Sequence, residues 1–264
     1  MPKTFNPNEA VDLIETLEYS DVKITRSGGK IIFVSPKNDG DDIIDNLYIK
    51  SNYMELPYDA TFYPDTDDDK NNGKAQITVN IDPANPKNED FHIFCEKIDN
   101  KIKEVALANA AKWLKLSKKN ASPESIESLY TPMKRLHLDP DTGEPDGKYP
   151  PSFRFKMAKS HGNWECRVFD TNRKPIDINS MSNDEVMKLF SKKSKVKILI
   201  KLTVVWVANS KFGVSWKAEQ IKVSKPKILD RYAFDDDSDD EEDEPDEDDG
   251  DGNSSSDEEE VVNK

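Results

Sequence analysis

The sequence predicts a mainly β fold of the α+β type, with one long inserted helix and a separate acidic tail. Two alternating runs of apolar and polar residues near the end of the folded part predict long strands. A helical repeat over residues 89–116 predicts the helix, and residues 235–264 carry 18 Asp and Glu against Lys264 alone. We therefore expect one domain over residues 1–234, with its helical insertion near 89–130, and a disordered acidic tail over 235–264.

The first hundred residues predict several strands. The run DVKITRSGGKIIFVS alternates around the sequence SGG, which is typical of a hairpin with strands near 22–26 and 30–35. Apolar runs over residues 43–49 and 75–81 predict two more strands. The acidic, Asn-rich stretch PDTDDDKNNG between them indicates a solvent-exposed loop.

A helical repeat follows these strands. Apolar side chains form one stripe from Glu89 to Leu116, and Asn109 is the polar interruption of this stripe. Lysines near the helix end fit two interpretations, which are stabilisation of the negative end of the helix dipole and contact with phosphate. These lysines are Lys112, Lys115, Lys118 and Lys119. A shorter helix is predicted to begin at Ser122-Pro123.

The middle of the chain combines turns with short strands. The run HLDPDTGEPDGKYPP has part of a calcium-loop pattern but lacks two of its ligands, so we interpret it as a turn-rich connection. Residues 153–158 and 164–169 alternate and predict two strands. The sequence SNDE at 182–185 has capping-box spacing for a short helix that ends near Phe190.

The strongest β pattern lies near the end of the folded part. Every even position from Val196 to Ala208 is apolar, and a second alternating run begins at Phe212 after a turn. The alternation shifts by one residue near Gln220, which is typical of a β-bulge. A bulge at this position predicts a strongly curved sheet.

The sequence lacks the motifs of common enzyme classes. It has no glycine-rich phosphate loop, nucleophile elbow, zinc-protease helix or Cys-x-x-Cys pair. Cys95 and Cys166 are far apart and the histidines are scattered, so we expect no disulfide framework, metal or other cofactor. No apolar run is long enough for a membrane span or a signal peptide. We therefore expect a non-enzymatic intracellular protein that is neither secreted nor membrane-bound.

The charge distribution indicates a nucleic-acid partner. The formal net charge of −14 combines −10 over residues 1–100, +13 over residues 101–234 and −17 over the tail, and all four tryptophans lie in the basic segment. Single-strand binding needs cations that contact phosphates and exposed rings that stack on bases. The candidate DNA-binding residues are basic and aromatic side chains of the basic segment: Arg154, Lys156, Trp164, Arg167, Phe169, Lys197, Lys201, Trp206, Lys211, Phe212, Trp216 and Lys217.

The strand alternation divides these candidates into two groups. It predicts that six cations point away from the core, and these are Arg154, Lys156, Arg167, Lys197, Lys201 and Lys217. Phe169 shares their face and is the best stacking candidate. Trp164, Trp206 and Trp216 alternate as core residues do. For these three rings, packing in the core and stacking on bases at the rim of a barrel are both open.

Two runs of the basic segment carry a resemblance to a known family. KYPPSFRFK and SKVKILIKLTVVWVANSKFGVSWKAEQIKV are followed by a Lys-Pro-Lys linker and the acidic tail. This combination, over about residues 149–234, resembles the single-stranded DNA-binding proteins of large nucleocytoplasmic DNA viruses. These proteins are in turn similar to the replicative single-strand binding protein of short-tailed coliphages. The resemblance implies an OB-fold-like, five-stranded Greek-key barrel, with the long helix inserted and extra strands at the N-terminus.

The resemblance also implies a function and partners. It implies sequence-tolerant binding of single-stranded DNA in viral DNA replication, recombination and repair, at a cytoplasmic factory or in the host nucleus. The implied partners are single-stranded DNA and a viral DNA polymerase or helicase that contacts the acidic tail. The sequence leaves the oligomeric state open, with a homodimer as one of the alternatives. The tail would compete with DNA for the basic groove. A second interpretation of the tail, a chaperone for histones or other basic proteins, leaves the basic, Trp-rich sheet unexplained.

Overall fold

The computed structural model describes residues 2–37, 46–66 and 69–225. These residues confirm the predicted mainly β class with a long helix inserted between strands. The predicted tail, 235–264, lies outside the described residues, as do residues 43–45 of the predicted strand 43–49, whose end lies in strand Tyr48–Lys50.

The described residues form five α-helices and fifteen strands. The helices are α1 Pro7–Ile14, α2 Glu89–Ala108, α3 Ala110–Leu114, α4 Pro123–Leu129 and α5 Asn183–Leu189. The strands are β1 Leu17–Tyr19, β2 Lys23–Ile24, β3 Lys30–Pro36, β4 Tyr48–Lys50, β5 Met54–Glu55, β6 Thr61–Thr66, β7 Asp69–Asn80, β8 Tyr130–Thr131, β9 Lys134–Arg135, β10 Ser152–Ser160, β11 Asn163–Trp164, β12 Arg167–Phe169, β13 Pro175–Ile176, β14 Lys195–Ala208 and β15 Lys211–Ser224.

The long hairpin β14–β15 is the centre of the sheet. The strand order along the main path is β1-β3-β14-β15-β10-β7-β6, so five strands from β14 to β6 are extended at one end by N-terminal strands. The outer edge of β14 is shared in turn by β5, β4 and β3, and that of β15 by β12, β10 and β8. One long curved strand pair that borders several short strands gives the OB-fold-like class of this sheet.

Two bulges bend the central hairpin. The first shifts the pairing between Leu199 and Ile200 and leaves Glu219 as the extra residue, which confirms the bulge predicted near Gln220. The second lies between Leu202 and Val204 and was not predicted. It reverses the alternation of β14, so that Val205 is buried and Trp206 turns to the opposite side of the sheet. The core alternation read from the sequence for Trp206 is therefore wrong.

The inserted helix covers the inner side of the sheet. Its buried stripe includes Phe91 and Phe94, whose rings lie 5.4 Å from Phe153 and 5.8 Å from Trp216. The predicted single helix is two helices, because the chain leaves helical geometry at Asn109, with φ −110° and ψ 18°. The Asn109 amide donates to the Val105 carbonyl at 2.9 Å, and this local bond competes with continuation of the helix.

The described residues of the acidic stretch 64–73 are paired rather than looped. β6 and β7 form an antiparallel hairpin in which residues 61–66 pair with residues 69–76. The backbone hydrogen bonds of this hairpin do not require apolar side chains, so the polar sequence concealed it. The predicted loop is wrong for the described residues, and residues 67–68 between the strands lie outside them.

The two short helices and the turn-rich connection form as predicted, whereas one predicted strand is divided. Ser122 and Ser182 cap α4 and α5 as predicted. The run 137–151 is a turn-rich connection, tied by a hydrogen bond of 2.6 Å between His137 and Asp146. The predicted strand 164–169 is divided into β11 and β12. None of the described helices combines the length and apolar character that a membrane crossing requires.

Candidate nucleic-acid interface

A row of lysines crosses the side of the sheet that is turned away from the core, here called the outer face. Lys201 on β14 lies directly opposite Lys217 on β15, and Lys217 lies opposite Lys156 on β10. Directly opposed residues share a face of the sheet. The next positions in register are Tyr48 beside Lys201 and Gln76 beside Lys156. We call Lys201, Lys217 and Lys156 the lysine row.

The lysine row is electrostatically costly, since like charges directly opposite each other destabilise a sheet. Two members are partly compensated: Lys201 pairs with Glu219 at 3.1 Å, and Lys217 pairs with Glu165 at 2.5 Å. Lys156 has no carboxylate partner in the described chain and donates to the Ser215 hydroxyl at 3.3 Å. Burial, and secondarily the charge of Lys74, lowers the pKa of Lys156. The uncompensated end of the row therefore favours an anion.

A small basic pocket adjoins this end of the row. Its volume is about 130 Å³, and its walls are formed by β8, β9 and the loop between them on one side and by β7, β10, β14 and β15 on the other. Its lining residues are Gln76, Thr131, Pro132, Met133, Arg135, Phe153, Arg154, Lys156, Trp206, Val214, Ser215 and Trp216. They include three cations and no carboxylate. We call this cavity the basic pocket.

The two arginines of the basic pocket lie close together. Burial, followed by the charge of Arg154, lowers the pKa of Arg135. Arg154 is exposed, and with the Gln76 amide oxygen facing it, its Nε and Nη1 atoms both donate to that oxygen at 3.2 Å. Since neither arginine has a carboxylate partner in the described residues, the guanidinium groups are available to an anionic ligand.

Trp206 stands at the rim of the basic pocket. Its indole N–H donates to the Val214 carbonyl at 3.3 Å, and its ring packs over Gly213, where a Cβ would lie 3.0 Å from Cζ2. The ring is half-buried, which leaves part of it open to solvent. Phe33 lies on the same face, opposite Val204, and is 45% exposed with the Lys23 ammonium 4.8 Å from its ring centroid. Both rings are therefore accessible for stacking.

A second basic group occupies the other end of β14. Lys197 lies opposite Lys222, and Lys222 lies opposite Phe169, whose ring is half-buried. The exposed Arg167 lies opposite Gln220 on the same face. The structure thus brings the predicted residues Arg167, Phe169 and Lys197 together with Lys201 on the outer face.

Four predicted site residues do not reach this surface as expected. Phe212 is fully buried, with its ring 5.0 Å from Tyr130, and Trp164 is buried against Phe62 at 5.5 Å. Trp216 lines the floor of the basic pocket but is only 3% exposed. Lys211 is exposed, but its ammonium donates to the Ser128 carbonyl at the end of α4 at 2.6 Å, where it stabilises the helix end. The predicted DNA contact of Phe212 is therefore corrected to core packing, and of the two interpretations left open for Trp164 and Trp216 the structure shows core packing.

Several residues of the outer face and the basic pocket were missed by sequence reasoning. Phe33 alternates with the buried Ile32 and Val34, so strand alternation alone could have placed it outside. Tyr48 and Lys74 lie in register with predicted strands and could have been found in the same way. Arg135 lies in a two-residue strand, and no periodic signal could have identified it.

The outer face combines cations with aromatic rings. Within the described ranges, no group of three or more His, Cys, Asp and Glu side chains could hold a metal ion. Both cysteines are buried thiols, and burial raises the pKa of Cys95 and of Cys166. The groups that face solvent here are ammonium, guanidinium, hydroxyl and aromatic groups, which can contact phosphates and bases, together with the paired carboxylates of Glu165 and Glu219.

Comparisons with known proteins found structural neighbours only. No family model matches the sequence, and no curated protein matches it. The structure is similar to gp2.5, a single-stranded DNA-binding protein encoded by bacteriophage T7, with a TM-score of 0.41 and 14% identity over 71% of this chain and 98% of that one. It is also similar to the single-stranded DNA-binding protein of bacteriophage Enc34 in complex with single-stranded DNA, with a TM-score of 0.38 and 12% identity over 80% of this chain and 97% of that one.

Proposed function

We propose that the chain binds single-stranded DNA without sequence preference through the outer face. The observation that carries this proposal is the lysine row, which ends at a basic pocket without carboxylates and with Trp206 at its rim. A polyanion offsets the repulsion within the row, because each phosphate places a negative charge between neighbouring ammonium groups. Lysine and arginine contacts to phosphates are the same for every sequence.

The rings of the outer face favour a single strand over a duplex. Trp206, Phe33 and Phe169 each offer a partly exposed ring, and stacking on a base requires that the base has left the duplex. Every base has a π-face, so stacking adds affinity without selecting a sequence.

We further propose a role in viral DNA replication, recombination and repair, at the cytoplasmic factory or in the host nucleus. The net charge of −17 over residues 235–264 supports competition between this segment and DNA for the basic groups of residues 101–234, which sum to +13. In this proposal the same segment recruits the viral DNA polymerase or helicase when DNA displaces it, and the chain forms a homodimer.

Fluorescence anisotropy with a labelled strand of about 30 nucleotides and its duplex tests this proposal. Both ligands are titrated with residues 1–264 and with residues 1–234 at two salt concentrations. We expect preference for the single strand, weaker binding at high salt, and tighter binding by the shorter chain. Lys97→Gln is the control for charge, since Lys97 is exposed on α2, which covers the inner side of the sheet.

Absence of binding by both forms at low salt would contradict the proposal. The same titration with a core histone in place of DNA would then examine the chaperone interpretation, in which residues 235–264 supply the binding group.

A further inference from the structure

The basic pocket differs from the rest of the outer face because it is concave and its wall is fixed from within the core. The wall residues lie between Tyr130 and Arg135, and buried Asp99 of α2 holds this segment. The Tyr130 hydroxyl donates to Asp99 Oδ1 at 2.6 Å, and the Met133 N–H donates to both carboxylate oxygens at 3.0 Å. Arg135 is therefore presented by an anchored segment rather than by a free loop.

The polar groups that line the pocket are almost all hydrogen-bond donors. They comprise the guanidinium groups of Arg135 and Arg154, the ammonium of Lys156 and the hydroxyls of Thr131 and Ser215. The amide oxygen of Gln76 accepts from Arg154 and so is already occupied. A pocket that presents donors and positive charge, and no free carboxylate, matches an oxyanion with several acceptor oxygens.

Burial makes these cations unfavourable when the pocket is empty. Arg135 and Lys156 are half-buried, and the pKa of each is lowered first by burial and then by a neighbouring cation. Buried charges are normally paired with an opposite charge, and in the described residues neither of these has one. An anion that enters the pocket would supply the missing partner for both.

The pocket volume restricts the size of that anion. A cavity of about 130 Å³ has the space of roughly four water molecules, which suits a phosphate group but not a nucleotide. The half-exposed ring of Trp206 lies at the rim, where a base attached to the bound phosphate would extend.

We propose that the basic pocket is a phosphate subsite, in which Arg135, Arg154 and Lys156 bind one phosphodiester group of a single strand while Trp206 stacks on the adjacent base. This assignment rests on the proposed function of the outer face, and it specifies that the phosphate contact forms in the basic pocket and the base contact forms at Trp206. It places Arg135 among the residues that bind the DNA backbone directly.

The test compares Arg135→Gln and Arg135→Lys with the wild-type full chain. Affinity for a 12-nucleotide oligo-dT is measured at four salt concentrations, and thermal unfolding establishes that each variant is folded. We expect Arg135→Gln to bind roughly tenfold more weakly at low salt. The salt slope, which is the fall of the logarithm of the binding constant per log unit of salt concentration, should decrease by about 0.7, the value for one lost phosphate contact. Arg135→Lys should restore the slope, and Lys97→Gln should leave both quantities unchanged.

A second arm identifies the ligand group. A set of oligo-dT strands, each with one neutral methylphosphonate linkage, is titrated with the wild-type chain and with Arg135→Gln. We expect one linkage whose neutralisation weakens the wild type but not the variant, because both changes remove the same contact. If neutral linkages weaken both proteins equally at every position, the phosphodiester assignment is overturned.

Inorganic phosphate distinguishes this proposal from a site for free phosphate. Thermal unfolding of the wild type is measured with and without millimolar inorganic phosphate. If phosphate raises the stability of the wild type while Arg135→Gln keeps the wild-type salt slope for oligo-dT, the pocket is a site for free phosphate and the proposal is overturned. If the wild type binds oligo-dT and Arg135→Gln binds it equally well, the subsite is refuted while the proposed function stands. If the wild type does not bind oligo-dT, the proposed function itself fails.

Discussion

Replacement of Trp206 gives the most direct test of the outer face. Base stacking on one aromatic side chain contributes roughly 1–3 kcal/mol, so Trp206→Ala should weaken binding of single-stranded DNA by about 5- to 150-fold. The fold should tolerate the change, because the ring is only half-buried and makes one hydrogen bond, to the Val214 carbonyl. We expect a loss of stability below the roughly 3–5 kcal/mol typical of truncating a fully buried aromatic ring.

The intrinsic fluorescence of the protein provides the assay. Trp113, Trp164 and Trp216 are 3%, 5% and 3% exposed, so a bound base cannot stack on them. Quenching of tryptophan emission by oligo-dT should therefore come from Trp206. In Trp206→Phe, which keeps an aromatic ring, most of the quenching should vanish while anisotropy still reports binding of a labelled strand.

Phe212→Leu is the matched control for loss of an aromatic side chain. Phe212 is fully buried beside Tyr130, so this variant should lose stability but retain its affinity at temperatures where it is folded. Quenching of Trp206→Phe as strong as that of the wild type, or unchanged affinity of Trp206→Ala for single strands, would contradict stacking of a base on Trp206.

Three further changes test separate parts of the structure. Lys217→Gln should lower the salt dependence of single-strand binding by less than the roughly 0.7 of a full phosphate contact, because Lys217 is already paired with Glu165, and melting should show little change in thermal stability. Gly213→Ala should destabilise the fold by about 1–3 kcal/mol in urea unfolding, since its Cβ would lie 2.8 Å from the Thr131 carbonyl oxygen. Burial raises the pKa of Asp99 from 3.8 to about 6, so the folded state binds this proton more tightly than the unfolded chain does. The resulting stabilisation of the folded state, up to about 3 kcal/mol, is present below pH 4 and is lost as the pH rises through 6. Asp99→Asn should therefore flatten the pH dependence of the unfolding free energy between pH 4 and 7.

The two bulges show what strand alternation can and cannot predict. Near Gln220 the sequence changes visibly from one apolar parity to the other, so the first bulge could be located. Around the second bulge the residues from Val204 to Val207 are all apolar, and no polar side chain marks which face is outside. A one-residue shift in such a run leaves no trace in the pattern, yet it moves Trp206 from the core to the outer face.

The wall of the basic pocket and the β6–β7 hairpin were not predicted, for different reasons. The hairpin is held by backbone hydrogen bonds between polar segments, for which side-chain patterns are uninformative. The position of Arg135 depends on Asp99, which is more than thirty residues away and reaches the wall through a buried contact. Sequence alternation predicted that the lysines of β14 and β15 lie on the outer face, because alternation indicates which face of a strand a residue occupies. It does not indicate which faces come together to form a pocket, since that depends on tertiary packing.

The outer face contains two kinds of cation, and they should respond differently to a polyanion. Lys201 and Lys217 already have carboxylate partners in Glu219 and Glu165, so a phosphate must compete with those partners and its net gain there is small. The groups of the basic pocket lack such partners in the described residues, so a phosphate gains the full interaction and also relieves their mutual repulsion. The first contact of a strand with this face should therefore form at the pocket. The lysine row would then extend the contact across the sheet, with its carboxylates limiting the affinity and keeping the bound strand exchangeable.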